Sequence, residues 1–163
     1  MKNGSFRASV RAAAAGVARA WRGERNLRFQ CAAGYAVLLL GLWTGLSGPE
    51  LALLCLTVAG VLAAEMVNTA VERVVDLASA SSYHPLARTA KDIAAGAVLV
   101  TAVAALAVGA LLFLPRLHLL PVVVARLASP AGVLALLPLA VLLWGWLAAR
   151  PPGPDQGGRR PPA

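Results

Sequence analysis

Charge is what this chain has least of: 13% of its 163 residues are Asp, Glu, Lys or Arg, and only seven of those are acidic. With 59% hydrophobic residues and a mean hydropathy of +0.72, an ordinary soluble domain is excluded and most of the chain belongs in lipid. Cysteine is limited to Cys31 and Cys55, both inside apolar stretches, where a thiol acts as a small hydrophobe rather than a metal ligand or disulfide partner. Histidine is limited to His84 and His118. No Walker-type glycine-rich loop, protein-kinase signature or Gly-x-Ser-x-Gly elbow occurs, which excludes the usual soluble nucleotide-binding and hydrolase machinery. Residues 1–30 are rich in Arg and Ala and lack an apolar core, so no cleavable signal peptide is expected, and no internal repeat is visible.

What is present in abundance is apolar sequence in lengths that match a bilayer. Cys31 to Pro49, Ile93 to Pro115 and Leu127 to Ala149 carry no charge and are each about 20 residues long, enough to cross a hydrocarbon core as helices. A shorter uncharged run, Leu51 to Ala64, continues into Glu65, Asn68 and Glu72. The expected architecture is an all-α membrane protein with an N-terminal basic surface helix (1–30), a three-helix transmembrane core (31–115, spans about 31–49, 51–76 and 86–114), a fourth span in a C-terminal extension (116–149), and a disordered Pro- and Gly-rich tail (150–163). Gly-Leu-Ser-Gly-Pro at 45–49 makes a tight turn between the first two spans, and Pro138 places a kink in the last.

Six arginines, Arg7, Arg11, Arg19, Arg22, Arg25 and Arg28, precede the first span, and with a net charge of +8 they favour an anionic membrane surface rather than nucleic acid, which is not an expected partner. The connection 45–50 holds no Lys or Arg and the connection 73–91 holds three, so the N-terminus is expected inside, with the loop bearing Arg116 and Arg126 outside. This places a multi-pass protein in the inner (plasma) membrane, its N-terminus cytoplasmic. Residues 6–28 contain no Pro and alternate Arg with Val, Phe, Trp and Leu, a surface-helix pattern with Trp21 as interfacial anchor.

The chemistry is carried by the scarce acids. Glu65, Asn68, Glu72 and Asp76 fall on one expected helix, at about 0°, −60°, −20° and +20° around its axis, so one narrow stripe holds all four. Measured from Leu51, Glu65 lies about 21 Å along a core of about 30 Å, Glu72 near the boundary and Asp76 beyond it. A carboxylate at Glu65's depth costs several kcal/mol unless neutral, paired or wet, which marks it as functional and suits a proton acceptor working on an alcohol. The competing reading is a polar seam gluing helices together; Asn68 alone fits it, but three acids on one stripe repel one another without cations.

The neutraliser that suits oxygen ligands is Mg²⁺, which is held by one or two carboxylates plus substrate phosphates. Lys91 is one of two lysines beside thirteen arginines and stands at the end of the third span level with Glu72 and Asp76, a position from which an ammonium holds nucleotide phosphates; Asp92 could orient Lys91 or a metal. Glu24, the one acid in the basic arm, either reaches this site or is a solvated charge among arginines.

Ala64-Glu65-Met66-Val67-Asn68-Thr69-Ala70-Val71-Glu72-Arg73-Val74-Val75-Asp76, followed by Tyr83-His84-Pro85-Leu86-Ala87-Arg88-Thr89-Ala90-Lys91-Asp92-Ile93-Ala94-Ala95-Gly96, resembles the prokaryotic diacylglycerol kinase family. The resemblance covers about residues 6–114, including Trp21, Glu24-Arg25-Asn26 and Arg28, and the Glu-Arg-Asn and Tyr-His-Pro-Leu-Ala wording is more similar to the undecaprenol kinase branch. It implies an ATP-dependent lipid kinase working as a homotrimer with sites shared between subunits. Carried over by motif position, Glu65 would be the general base, Glu24 and Glu72 the Mg²⁺ ligands, and Lys91 the phosphate-binding cation. Asn68, Asp76, Tyr83, His84 and Asp92 would support or contact the nucleotide, with Arg28 and Trp21 in supporting roles. The fourth span and tail depart from the family pattern, which ends after the third span. The expected acceptor is undecaprenol, with diacylglycerol as the alternative; a non-catalytic scaffold or cation-transport module would instead want polar residues on several spans.

Overall fold

The computed structural model describes residues 5–79 and 84–148, and no strand occurs among them. Tyr83 and the tail 150–163 lie outside the described residues.

Helix α1 (Phe6–Gly23) starts at Ser5, whose hydroxyl accepts the Ala8 N–H at 3.4 Å. Phe6, Val10, Val17 and Trp21 recur within about 60° of one another around its axis, and Phe6 is 82% exposed, an apolar face turned outward as in a helix that lies on a membrane. The surface helix stops earlier than its composition suggests. Glu24 takes an extended conformation (φ −107°, ψ 115°), and α2 (Arg25–Trp43) begins immediately after it. The break is held by Arg28, whose guanidinium donates to the Trp21 and Arg22 carbonyls at 2.8 and 3.1 Å, satisfying acceptors that the end of α1 leaves open. Arg28 is thus a buried part of α2, 6% exposed, rather than a member of the surface arm.

Helix α2 ends in a Schellman arrangement: Gly45 sits at φ +69°, Leu46 N–H reaches the Gly41 carbonyl at 3.0 Å and Gly45 N–H the Leu42 carbonyl at 3.4 Å. Two residues later α3 (Gly48–Ala78) starts on a capping box, Ser47 N–H and Oγ both donating to Glu50 Oε2 at 2.8 Å. Helix α4 (Pro85–Phe113) begins with Pro85 at its first position and His84 Nδ1 accepting the Leu86 N–H at 3.2 Å. A 3₁₀ segment (Leu114–Leu119) and α5 (Leu120–Leu127) connect to α6 (Pro130–Ala148). The last helix begins at Pro130, with Ser129 Oγ accepting the Gly132 N–H at 3.1 Å, so residues 127–129 belong to the preceding helix and turn.

Helix α3 packs along α4 on one side and α2 on the other, and α2 carries α6 on its remaining flank. Gly34 lets α2 and α3 approach closely: a Cβ there would lie 2.6 Å from Val58 Cγ1. Helix α6 runs antiparallel to α2, since Tyr35 Oη donates to the Ala135 carbonyl at 2.7 Å while the Phe29 ring meets the Trp146 ring at 6.1 Å. The buried core is small, Leu46, Leu54 and Leu112 with Val37, Leu51 and Phe113 around them, and gathers at the end of the bundle away from the acids.

Among the described residues, three helical stretches are long and apolar enough to cross a membrane: Gly48–Ala78, Pro85–Leu127 and Pro130–Ala148. Helix α2, which takes the place of the first expected span, is not among them. Its 19 residues begin with Arg25 and Arg28, and it stops at Trp43 because the Gly45 turn ends it short of Pro49. Large apolar side chains such as Leu56, Leu106 and Leu111 stay more than 70% exposed, as on a surface solvated by lipid.

Candidate active site

The acidic stripe of α3 is ordered by burial. Glu65 is 4% exposed, Asn68 and Glu72 are half-buried, and Asp76 is exposed at the helix end. Each finds a different partner. Gln30 on α2 donates from Nε2 to Glu65 Oε2 at 3.2 Å, and Asn68 Nδ2 donates to Glu72 Oε1 at 2.8 Å one turn on. Lys91 Nζ on α4 closes on Asp76 Oδ1 at 2.6 Å. Two acceptors in this series, Gln30 Oε1 and Asn68 Oδ1, are buried without a partner, and both therefore await a donor or a cation.

On the apolar side, a groove of about 320 Å³ runs between α2, α3 and α4, lined by Phe29, Ala33, Gly34, Val58, Ala102 and Leu106 among others. Its polar lining is Gln30 and Thr57; Thr57 is already bonded to the Leu53 carbonyl, whereas Gln30 keeps a buried Oε1 without a partner. The groove thus ends on the residue that holds Glu65. On the other side, about 16 Å further along α3, a second cavity of about 270 Å³ is lined by Asp76, Ser79, His84, Arg88, Lys91 and Asp92. It combines two cations with two carboxylates, a composition suited to phosphates brought with a counter-ion.

The remaining sequence-predicted residues distribute as follows. Glu24 is drawn to the same end of α3 by Arg73, 3.3 Å away, rather than lying free among the arginines. His84 caps α4 through Nδ1 and lines the polar cavity. Asp92 lines that cavity but pairs with Arg88 at 3.8 Å, while Lys91 is oriented by Asp76 instead. Trp21 contributes its backbone carbonyl to Arg28. Among the described residues no three His, Cys, Asp or Glu side chains converge as a metal cluster.

Sequence reasoning passed over Gln30, Arg73 and Arg88. Gln30 carried the clearest signal, since it is an uncharged amide standing directly before an apolar run. Its partner lies 35 residues away on another helix, a pairing that spacing does not reveal.

Comparison with known proteins bears on this arrangement. The family described as prokaryotic diacylglycerol kinase matches residues 11–113. The undecaprenol kinase of Bacillus subtilis is 47% identical over 96 residues, covering 59% of this chain and 77% of that protein. The diacylglycerol kinase of Synechocystis sp. is 47% identical over 109 residues, covering 67% of this chain and 62% of that protein. No solved structure matches the chain significantly. The family match and the two kinases the chain resembles show a membrane lipid kinase, a phosphotransferase with an alcohol as acceptor. The chain belongs to the prokaryotic diacylglycerol kinase family. Its α5 and α6 lie beyond the matched region.

Proposed function

We propose that this lipid kinase transfers the γ-phosphoryl group of ATP to the hydroxyl of undecaprenol, producing undecaprenyl phosphate and ADP. The observation that carries the reading is the placement of Glu65: buried in the bundle and bonded to Gln30, which closes the apolar groove. The isoprenoid chain lies along the groove and its hydroxyl meets Gln30 Oε1, the acceptor left open there. Glu65 takes the hydroxyl proton as the alcohol oxygen bonds to the γ-phosphorus, and the bond from that phosphorus to the β–γ bridging oxygen breaks. Lys91, held by Asp76, and Arg88 bind phosphate oxygens in the polar cavity, with His84 beside the nucleotide and Asp92 steadying Arg88. Most of the rate comes from positioning and charge neutralisation.

The residues present fit Mg²⁺. Glu72 and Glu24 supply carboxylates at one end of α3, and the unpartnered Asn68 Oδ1 stands beside Glu72, an oxygen donor set of the kind that completes its shell with water and phosphate. Glu24 and Glu72 would hold the ion, which when bound neutralises developing charge on the phosphates.

The reading extends to a homotrimer in the inner membrane with its N-terminus and polar cavity on the cytoplasmic side, supported by the arginines around α1 and by the family's pattern. Chemical cross-linking in native membranes tests the trimer; a ladder ending at two copies removes it. The deciding experiment for the reaction is a mixed-micelle assay of the full chain with labelled ATP, Mg²⁺ and a panel of lipid alcohols. Preferred labelling of undecaprenol supports the reading, preferred labelling of diacylglycerol replaces the acceptor, and no labelled lipid overturns the reaction.

A further inference from the structure

Helix α2 serves two neighbours with different parts of its circumference. Taking Phe29 as 0°, the groove residues Ala33, Val37, Gln30 and Gly34 lie at about 40°, 80°, 100° and 140°, whereas Arg25 and Tyr35 lie at about −40° and −120°. The second arc is where α6 docks, through Tyr35 Oη to the Ala135 carbonyl and through the Arg25 guanidinium, 4.3 Å above the Trp146 ring centroid. Phe29 stands on the border: it lines the groove and packs its ring against Trp146. It is also 53% exposed, and the Trp146 ring is its aromatic neighbour. Gln30, the next residue, holds Glu65, and Glu24 immediately precedes Arg25.

We propose that α6 braces the acceptor groove from behind α2: Trp146, with the Arg25 guanidinium over its ring, is a positioning residue that holds Phe29 at the groove and so sets the fit of the lipid alcohol. The proposal rests on the lipid-kinase reading for the identity of what enters the groove, and on the geometry of α2 and α6 for the rest. The tryptophan suits the task, because its large ring takes both a tilted aromatic neighbour and a guanidinium at low entropic cost.

The test compares the full chain with its Trp146→Ala and Trp146→Phe variants in mixed micelles. Trp146→Ala is expected to raise KM for the lipid alcohol roughly 3- to 10-fold while leaving KM for ATP and kcat within about twofold, and Trp146→Phe to restore most of the lipid KM. An unchanged lipid KM in Trp146→Ala, or equal losses in kcat and both KM values, overturns the proposal. A second readout needs no turnover: photolabelling by a diazirine-bearing long-chain alcohol, mapped by mass spectrometry. Labelling of α2 and α4 groove peptides should fall severalfold in Trp146→Ala and recover in Trp146→Phe; unchanged labelling overturns the proposal. Should the full chain phosphorylate no lipid, the kinase reading fails on its own and the labelling still decides the role of Trp146.

Discussion

The two ends of α3 carry the same kind of residue and treat it in opposite ways. At one end, Glu50 is saturated: it accepts from Ser47 N–H and Oγ and, through both carboxylate oxygens, from Arg116 Nη2 at 2.8 and 2.9 Å. Arg116 in turn also donates to the Leu112 carbonyl, so the network closes on itself and ties α3 to the segment after α4. At the other end, Glu65, Glu72 and Asp76 each have one side-chain partner, and the amide groups serving the first two keep buried acceptors free. A saturated carboxylate is a structural device; an under-satisfied series along one stripe is a site waiting for a ligand.

The largest effect that would break this contrast lies at Glu65. Glu65→Gln keeps the size and the contact with Gln30 but cannot take a proton, so kcat should drop by about 10²- to 10⁴-fold with ATP binding retained. Full turnover in that variant, measured with purified protein and labelled ATP, sinks the assignment of the base. Next in size is Lys91→Ala, expected to raise KM for ATP about tenfold or more while sparing the lipid KM; Lys91→Arg should recover only part, because a guanidinium does not match the compact contact at 2.6 Å with Asp76. Equal effects on both substrates would move Lys91 from the nucleotide to the scaffold.

Smaller and opposite in kind is the outcome at the saturated end. Glu50→Gln or Arg116→Ala should lower the thermal midpoint in detergent by a few degrees and leave turnover per folded molecule unchanged. A loss of activity without a loss of stability there would erase the distinction between the two ends. Smallest is Gly34→Ala, midway along the α2–α3 contact. Its methyl meets a β-branched side chain that has little room to rotate, and it should cost about 1 kcal/mol of stability and narrow the groove slightly, read as a modest rise in lipid KM.

Much of this site was legible in the linear sequence because a helix converts spacing into direction and depth. Glu65, Asn68, Glu72 and Asp76 sit at intervals of three and four, so rotation alone gathers them, and the distance from Leu51 alone buries the first and exposes the last. Pairings between helices were not legible. Gln30 with Glu65, Glu24 with Arg73 and Lys91 with Asp76 join residues 35, 49 and 15 positions apart, and any of several partners would have satisfied the same charge. The break at Glu24 was hidden for a related reason: its cause, Arg28 reaching back to the Trp21 carbonyl, is a side-chain contact in a stretch whose composition stays helical throughout. Helix α6 is apolar all round, so no face of it announced where it would dock.

Sequence by itself determined that the chain is helical and lives in lipid, which acids share a stripe, and how deep each one lies, because backbone hydrogen bonding in a bilayer leaves the helix as the form such segments take. Only the tertiary structure decided that Gln30 pairs with the buried acid, that an apolar groove includes that amide, and that α6 meets the groove residue Phe29 through Trp146. The physical reason is that rotation and rise are properties of one helix, whereas partner choice depends on which faces of several helices come to lie against each other.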